Sequence, residues 1–327
     1  MKTLRAIAIV LAGACVTAPV PSLAAEYRFL SSWDKNYPAY PVIVEPFIKG
    51  VEAATKGSVK LVFNGPETVP AFEQLQPASA GAFHFLFSHG AYHFGTTPIL
   101  TAVEAIGGDM QSRRASGIWD WVDKHYQKLG LKLVAIPMTP DGGYGILLRQ
   151  PVSPGGDLQG RKIRGTASYH SVFKMLGASP VVLPPAEIYT ALEKGVVDGA
   201  AWPVIGPLNY RWYEVSKFLL RPAFGFVTQP TFVNLATWNK LTEAERKAIL
   251  DEGRKIEEIW YRESGRLVAE EEKALIGKGM QVTQMGDAQK AKLRKAWSDG
   301  LWEMSAQKAK KDVEELRAFA KSKGLAD

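Results

Sequence analysis

Residues Arg161–Pro203 read RKIRGTASYHSVFKMLGASPVVLPPAEIYTALEKGVVDGAAWP, and their rhythm decides the fold. Lys162-Ile163-Arg164 is short and bounded by Gly160 and Gly165, which predicts a buried strand. A helix is expected to follow as far as about Leu176, with Val172, Phe173 and Leu176 on one face. Gly177 stops it, because glycine accepts the left-handed conformation that closes a last turn. Pro180–Leu183 reads as a second strand. Pro184-Pro185 breaks the chain, and proline is tolerated in the first turn of the next helix. Ile188, Ala191 and Leu192 form that helix's apolar face, Gly195 ends it, and Val196 and Val197 open a third strand. Strand–helix alternation at this spacing implies an α/β fold with parallel strands and right-handed crossovers.

That topology carries a functional expectation. In open parallel sheets, ligands sit beyond the carboxyl ends of the strands. Arg164 lies at the end of the first strand and Trp202 near the end of the third. One is a permanent cation with a planar donor fork, the other a flat apolar wall. Thr166 and Ser168 open the helix behind Arg164, where free N–H groups favour an anion. Together these groups suit a carboxylate on an apolar or planar body. A lone arginine at a strand end also serves as an ordinary ion-pair partner, and topology leaves both roles open.

The run resembles the solute receptors of tripartite ATP-independent periplasmic (TRAP) transporters, the dicarboxylate-uptake family. The resemblance rests on Leu158-Gln159-Gly160-Arg161-Lys162-Ile163-Arg164, then Leu176–Pro180, then Glu187–Leu192, then Gly195–Gly199 with Pro203. It extends more loosely over nearly the whole chain after the leader. It implies that Arg164 pairs with a ligand carboxylate. It also implies that a tryptophan at position 202, where asparagine is frequent, marks a subset that takes 2-oxo or aromatic acids. Many relatives carry a second basic residue near Tyr144; this chain has none there, and Arg149 falls several residues too late. The resemblance therefore favours a monocarboxylate over dicarboxylates or sialic-acid-like ligands, and Pro185 leaves space where relatives present an aromatic.

The chain has 327 residues, 46% hydrophobic and 22% charged, with a net charge of +7. This fits a globular protein of two ordinary domains. Its basic residues are interspersed with acids, densest in the C-terminal helical region, which reads as a solvated face and not as a nucleic-acid surface. At the start, Lys2 and Arg5 precede an apolar core, Ala6–Val16, too short to span a bilayer. Ser22-Leu23-Ala24 completes a secretory signal, so a cleaved leader over 1–24 and a periplasmic location are expected. Cys15 is the only cysteine. A lipid anchor at Cys15 is not expected, because Ala12-Gly13-Ala14 lacks the usual leucine. Once the leader is gone, disulfides, thiol catalysis and cysteine-metal sites are excluded.

After the leader the same rhythm recurs. Tyr27–Ser31 reads as a strand, Pro41–Thr55 as a helix, Lys60–Phe63 as a strand, Glu73–Ser79 as a short helix and Phe83–Phe87 as a strand. Their ends offer Trp33, Asn64, Ser88 and His89 as ligand candidates. His84, His89 and His93 lie close in sequence, but no closed metal-ligand set is evident. A helix stops near Gly130, Leu131–Met138 is a strand, and Pro140–Gly143 turns the chain into a second lobe. Tyr144–Arg149 begins that lobe, and Pro230–Thr237 returns to the first, with Phe232 or Asn234 as further cleft candidates. Thr242-Glu243-Ala244-Glu245 is a capping box. It starts a long helix to about Leu275, which the resemblance implies spans both lobes. Leu293, Trp297, Leu301 and Met304 form the buried stripe of the last helical stretch.

The expected architecture is a two-lobed binding-protein fold, each lobe a βαβαβ-based, mostly parallel sheet. Lobe I comprises 25–142 with 229–269, and lobe II 143–228 with 270–327. The expected function is an extracytoplasmic TRAP receptor that captures an organic monocarboxylate and delivers it to membrane subunits. Its ligand-binding set is Arg164, Trp202, Trp33, His89, Ser88, Tyr144, Thr166 and Asn64, with no cofactor, no metal and no nucleic-acid partner. A periplasmic sensor feeding a kinase would use the same site. A secreted hydrolase is disfavoured: Gly-x-Ser-x-Gly, His-Glu-x-x-His and a cysteine nucleophile are absent, and no carboxylate is placed in sequence to orient His170 near Ser168 and Ser171.

Overall fold

The computed structural model describes residues 25–327. The leader at 1–24, with Cys15 and the cleavage site, lies outside the described residues.

The first half of the chain runs β1 (Ala25–Ser31), α1 (Glu45–Ala54), β2 (Val59–Asn64), α2 (Leu75–Ser79) and β3 (Phe85–Phe87), then α3 (Ile99–Val103), α4 (Met110–Ala115), α5 (Ile118–Gln127) and β4 (Leu131–Ala135). β1 pairs in parallel with both β2 and β3. These strands form because Phe29, Phe85 and Phe87 are fully buried, with Phe29 packed on Phe47 of α1 at 6.1 Å between ring centroids. The helix expected over 41–55 starts instead as a π-helical turn, Tyr40–Val44, and becomes α-helical at Glu45.

The second half holds β5 (Tyr144–Leu148), β6 (Lys162–Arg164), α6 (His170–Met175), β7 (Ser179–Val181), α7 (Ile188–Glu193), β8 (Gly199–Pro203) and β9 (Phe218–Phe224). β6 occupies the residues read from sequence and pairs in parallel with β7 and β8. The third strand starts later than expected, at Gly199. Val196 is 52% exposed because the chain is still turning after Gly195, whose φ is 69°. The chain then runs β10 (Thr231–Asn234), α8 (Leu235–Lys240), α9 (Glu243–Gly277), β11 (Gln281–Gln284) and α10 (Asp287–Ser322).

Two sheets result, ordered β2-β1-β3-β10-β4 and β11-β9-β5-β8-β6-β7. The fold is α/β and two-lobed. β10 returns to the first sheet and lies antiparallel between β3 and β4. β5 lies antiparallel between β8 and β9 in the second.

Two long helices tie the lobes. α9 starts at the expected box, with Thr242 Oγ1 accepting from the Glu245 N–H and the Glu245 carboxylate accepting from the Thr242 N–H. It packs on α1 and β4, then reaches the second sheet, where Glu272 pairs with Arg221 of β9. Midway, Glu257 is buried and accepts from Arg114 Nε, Trp119 Nε1 and the Ile136 N–H at 2.7–3.0 Å. α10 packs on both α3 and α6 and bends at Ala309. Leu293, Trp297 and Leu301 are buried in it as expected, whereas Met304 is only partly covered.

Candidate functional site

Arg164 ends β6, between β7 and β8. Its side chain is 1% exposed. Nε and Nη2 donate to the Leu183 carbonyl at 3.0 and 2.7 Å, and Nη1 donates to the Ala201 carbonyl at 3.2 Å. A guanidinium has five N–H groups, so one on each terminal nitrogen is left without a protein acceptor. Among the described residues no carboxylate pairs with it. Its electrostatic neighbours are the phenols of Tyr92 and Tyr169, and burial pushes its pKa below the ordinary guanidinium value. Carbonyl dipoles therefore hold a buried cation that lacks a counter-ion. Such a group is costly to leave unpaired.

Trp202, in β8, lies under the guanidinium with its ring centre 5.3 Å away. An aromatic cluster spans the two lobes from there. Tyr37 stacks on Trp33 at 5.1 Å, meets Trp202 edge-on at 6.3 Å and stacks on Tyr210 at 6.4 Å. Gln229 Nε2 donates to the Tyr37 hydroxyl at 3.1 Å. Four buried polar atoms in this neighbourhood have no hydrogen-bond partner among the described residues: Trp33 Nε1, Trp202 Nε1, Gln229 Oε1 and Thr166 Oγ1. Trp33 Nε1 approaches the Tyr92 hydroxyl without completing a bond. Beside the cluster, a cleft of about 490 Å³ opens between the lobes, bordered by Trp33, Asp34 and Pro70 on one side and Pro185, Tyr189 and Tyr210 on the other.

The structure thus brings Arg164, Trp202 and Trp33 together, with Thr166 just beyond. It gives His89 and Tyr144 a different setting. His89 Nδ1 accepts from the Ala91 N–H at 3.1 Å, which places the ring proton on Nε2. That nitrogen lies 2.9 Å from Glu104 Oε1 and 2.6 Å from the Tyr144 hydroxyl. The Tyr144 hydroxyl donates to Glu104 at 2.7 Å, and Ser168 and Thr228 donate to it as well. Burial holds the Tyr144 and Tyr169 phenols well above their usual pKa, so both stay donors. Glu104 is thus a buried acceptor hub joining the two halves at the crossover, and it occupies donors expected to face the ligand.

The remaining candidates separate in the same way. Ser88 Oγ is 2.8 Å from Ser32 Oγ, whose own proton goes to Gln74 Oε1 at 2.6 Å. Asn64 is half-buried and bonds back to the Val62 carbonyl of its own strand, outside the group around Arg164. Phe232 packs on Tyr126 at 4.7 Å inside the first lobe. Asn234 caps α8 and donates to Ala78 and Ser79. The helix behind Arg164 is a single 3₁₀ turn, Ala167–Tyr169, leading into the six residues of α6. That is too short to supply the N–H field expected of a long helix, and Ser168 is engaged by Glu104. Tyr37, Tyr92, Tyr210, Gln229 and Glu104 were not singled out in sequence. The aromatics lie outside strand ends, and nothing local marks Glu104.

The sequence model of the bacterial extracellular solute-binding proteins, family 7, matches residues 31–308. The chain belongs to this family. Over 248 residues it is 27% identical to the monocarboxylate 2-oxoacid-binding periplasmic protein of Nostoc sp., covering 69% of this chain and 64% of that one. Over 171 residues it is 30% identical to the 2,3-diketo-L-gulonate-binding periplasmic protein of Escherichia coli, covering 50% and 49%. The chain thus spans about half to just under two thirds of the length of these curated relatives. Among solved structures, a TRAP periplasmic solute binding protein of Desulfovibrio salexigens with bound orotic acid shares the fold with a TM-score of 0.82 at 21% identity, covering 91% of this chain and 98% of that one. A Bordetella pertussis extracytoplasmic solute receptor binding pyroglutamic acid does so with a TM-score of 0.73 at 19% identity, covering 91% and 100%. In this family 7 solute-binding protein, two N–H groups of the buried guanidinium, and the indole and amide atoms named above, have no partner among the described residues. Among the described residues no cluster of His, Cys, Asp and Glu is placed to hold a metal ion.

Proposed function

We propose that this protein is an extracytoplasmic receptor that captures a small organic monocarboxylate between its lobes, with a 2-oxo or aromatic acid favoured. One observation carries the reading: Arg164 is buried, held only by carbonyls, and has no acidic partner among the described residues. A ligand carboxylate would complete it through two parallel charge-assisted bonds, a geometry lysine does not reproduce. Trp33 and Trp202 would donate to ligand oxygens, and Gln229 Oε1 would accept from a ligand N–H or O–H. The Tyr144 hydroxyl is committed to Glu104, and a second carboxylate placed there would meet a buried acid instead of a base. This supports a monoanion. The names of the Nostoc relative and of the orotate and pyroglutamate receptors are consistent with an acid carried on a small planar or carbonyl-bearing body.

The role is binding without turnover. Ligand contacts made by both lobes exist together only in the closed form, so the ligand shifts the population toward closure. The closed form would be read by the membrane subunits of a TRAP transporter on the extracytoplasmic side. The test is calorimetric titration with pyruvate, pyroglutamate and orotate. The wild type is expected to bind at least one. Arg164→Ala is expected to lose about 2–5 kcal/mol, since truncating one partner of a buried charge pair costs that much, while circular dichroism stays unchanged. Unaltered affinity in that variant would defeat the assignment.

A further inference from the structure

The mouth of the cleft is formed by a turn, Gly206–Trp212, that belongs to neither sheet. The turn is bonded to itself. The Tyr210 N–H donates to Gly206, Arg211 to Leu208 and Trp212 to Pro207, at 2.9–3.1 Å. It therefore moves as one piece. One end is pressed against the candidate site: a Cβ added at Gly206, whose φ is 119°, would sit 3.1 Å from Trp202 Nε1 and 3.2 Å from the Tyr37 ring. The other end carries Tyr210, which stacks on Tyr37 and places its hydroxyl 3.5 Å from Asp34 Oδ1 across the cleft.

Besides these aromatic contacts and that of Trp212 with Trp202 at 5.2 Å, the turn has a polar anchor, a carboxylate on α9. Glu271 Oε1 accepts from the Leu208 N–H at 2.6 Å, and the Gly206 N–H also faces the carboxylate. Glu271 is 5% exposed, and no lysine or arginine among the described residues pairs with it. The groups facing it are those two backbone N–H groups and, from the first lobe, the Tyr37 phenol, whose pKa it helps to raise. Its neighbours on α9 are engaged elsewhere, Glu270 with Arg266 and Glu272 with Arg221. A buried carboxylate spent on two amides of an irregular turn is not explained by the solubility or packing of α9. Burial lifts its pKa to about 7, so the fold retains it at a cost.

We propose that Glu271 is a positioning residue that sets the Gly206–Trp212 turn, and hence Tyr210 and Trp202, in the geometry that closes over a bound acid. The proposal rests on the receptor reading above. α9 packs on α1 and β4 along its first part and reaches the second sheet at Glu272, so Glu271 holds the turn from the second-lobe end of a helix that runs across both lobes.

The test uses the mature chain with Glu271→Leu and Glu271→Gln. Glutamine keeps an acceptor for the two amides; leucine has none. Hydrogen exchange in the ligand-free proteins is expected to accelerate over 204–212 in Glu271→Leu, with residues 161–176 unchanged and Glu271→Gln close to wild type. Calorimetry with pyruvate and pyroglutamate is expected to show affinity at least tenfold weaker for Glu271→Leu and within about threefold for Glu271→Gln, with melting temperatures of both recorded as a control. Unchanged exchange over 204–212 in the leucine variant, or unchanged affinity, overturns the proposal. So does equal weakening in both variants. If the wild type binds neither acid, the monocarboxylate reading fails by itself, and the exchange data still decide whether Glu271 anchors the turn.

Discussion

Thr166 Oγ1 is buried two residues beyond Arg164 and has no partner. An unsatisfied hydroxyl of this kind costs about 1–3 kcal/mol. Thr166→Val, which keeps the shape, is therefore expected to stabilise the ligand-free protein by about 1 kcal/mol in urea unfolding. If the hydroxyl serves the ligand, the same variant weakens acid binding, so stability and affinity move in opposite directions. Arg164→Lys tests geometry against charge. An ammonium is a compact point charge and cannot hold Leu183, Ala201 and a carboxylate at once, so affinity is expected to fall at least tenfold in calorimetry although the charge is kept. At this scale the place of Arg164 at a strand end was legible because glycines bound its strand; its burial without a counter-ion was not. His89 and Tyr144 were read as ligand candidates, and nothing in the sequence marked them as donors to Glu104. That partner is the C-cap of α3, 15 residues from one and 40 from the other, and no local spacing announces it.

Among the elements, α9 was the most legible. A capping box and a long run free of proline announce it, and it starts and stops within a few residues of the expected points. β9 and β11 were not read as strands. β6, β7 and β10 have only three or four residues, and the glycines and prolines beside them, not alternation, marked them out. β11 is exposed at three of its four positions, so its pattern is that of a loop. The clamp at Glu257 was also invisible, since its partners Arg114, Trp119 and Ile136 come from α4, α5 and the end of β4. Glu257→Ala leaves two buried donors, Trp119 Nε1 and the Ile136 N–H, and the half-buried Arg114 guanidinium unpaired. It is expected to destabilise the fold by about 3 kcal/mol or more, read as a lower urea midpoint at unchanged slope.

For the whole molecule, closure is the central prediction. Arg164 is 1% exposed in the form described, so a ligand reaches it only when the lobes part. Small-angle scattering is expected to show a larger radius of gyration without acid than with it. Equal radii would exclude a clamp. Stability should also respond to pH from two sides. Burial lowers the pKa of His93 from 6.5 to about 3. Below 6.5 the unfolded chain binds a proton that the folded one refuses, so stability present above 6.5 is lost as pH falls toward 3, at about 1.4 kcal/mol per unit. Glu271 acts oppositely: its pKa rises from 4.5 to about 7, so stability present below 4.5 is lost as pH climbs through 7. Urea midpoints from pH 4 to 8 should show both limbs, with His93→Gln flattening the acid one and Glu271→Gln the neutral one. A last consequence follows from Gly253, where α9 lies so close to β4 that an added Cβ would sit 2.8 Å from Val134 Cγ1 and 3.0 Å from its carbonyl oxygen. That contact is a fulcrum, and Glu271 stands eighteen residues along the beam, about 27 Å away at 1.5 Å per residue. A tilt of only about 3° at the fulcrum swings the far end by about 1.4 Å over that helical length, so a single methyl group at Gly253 could throw the receptor's grip out of true from the opposite side of the protein.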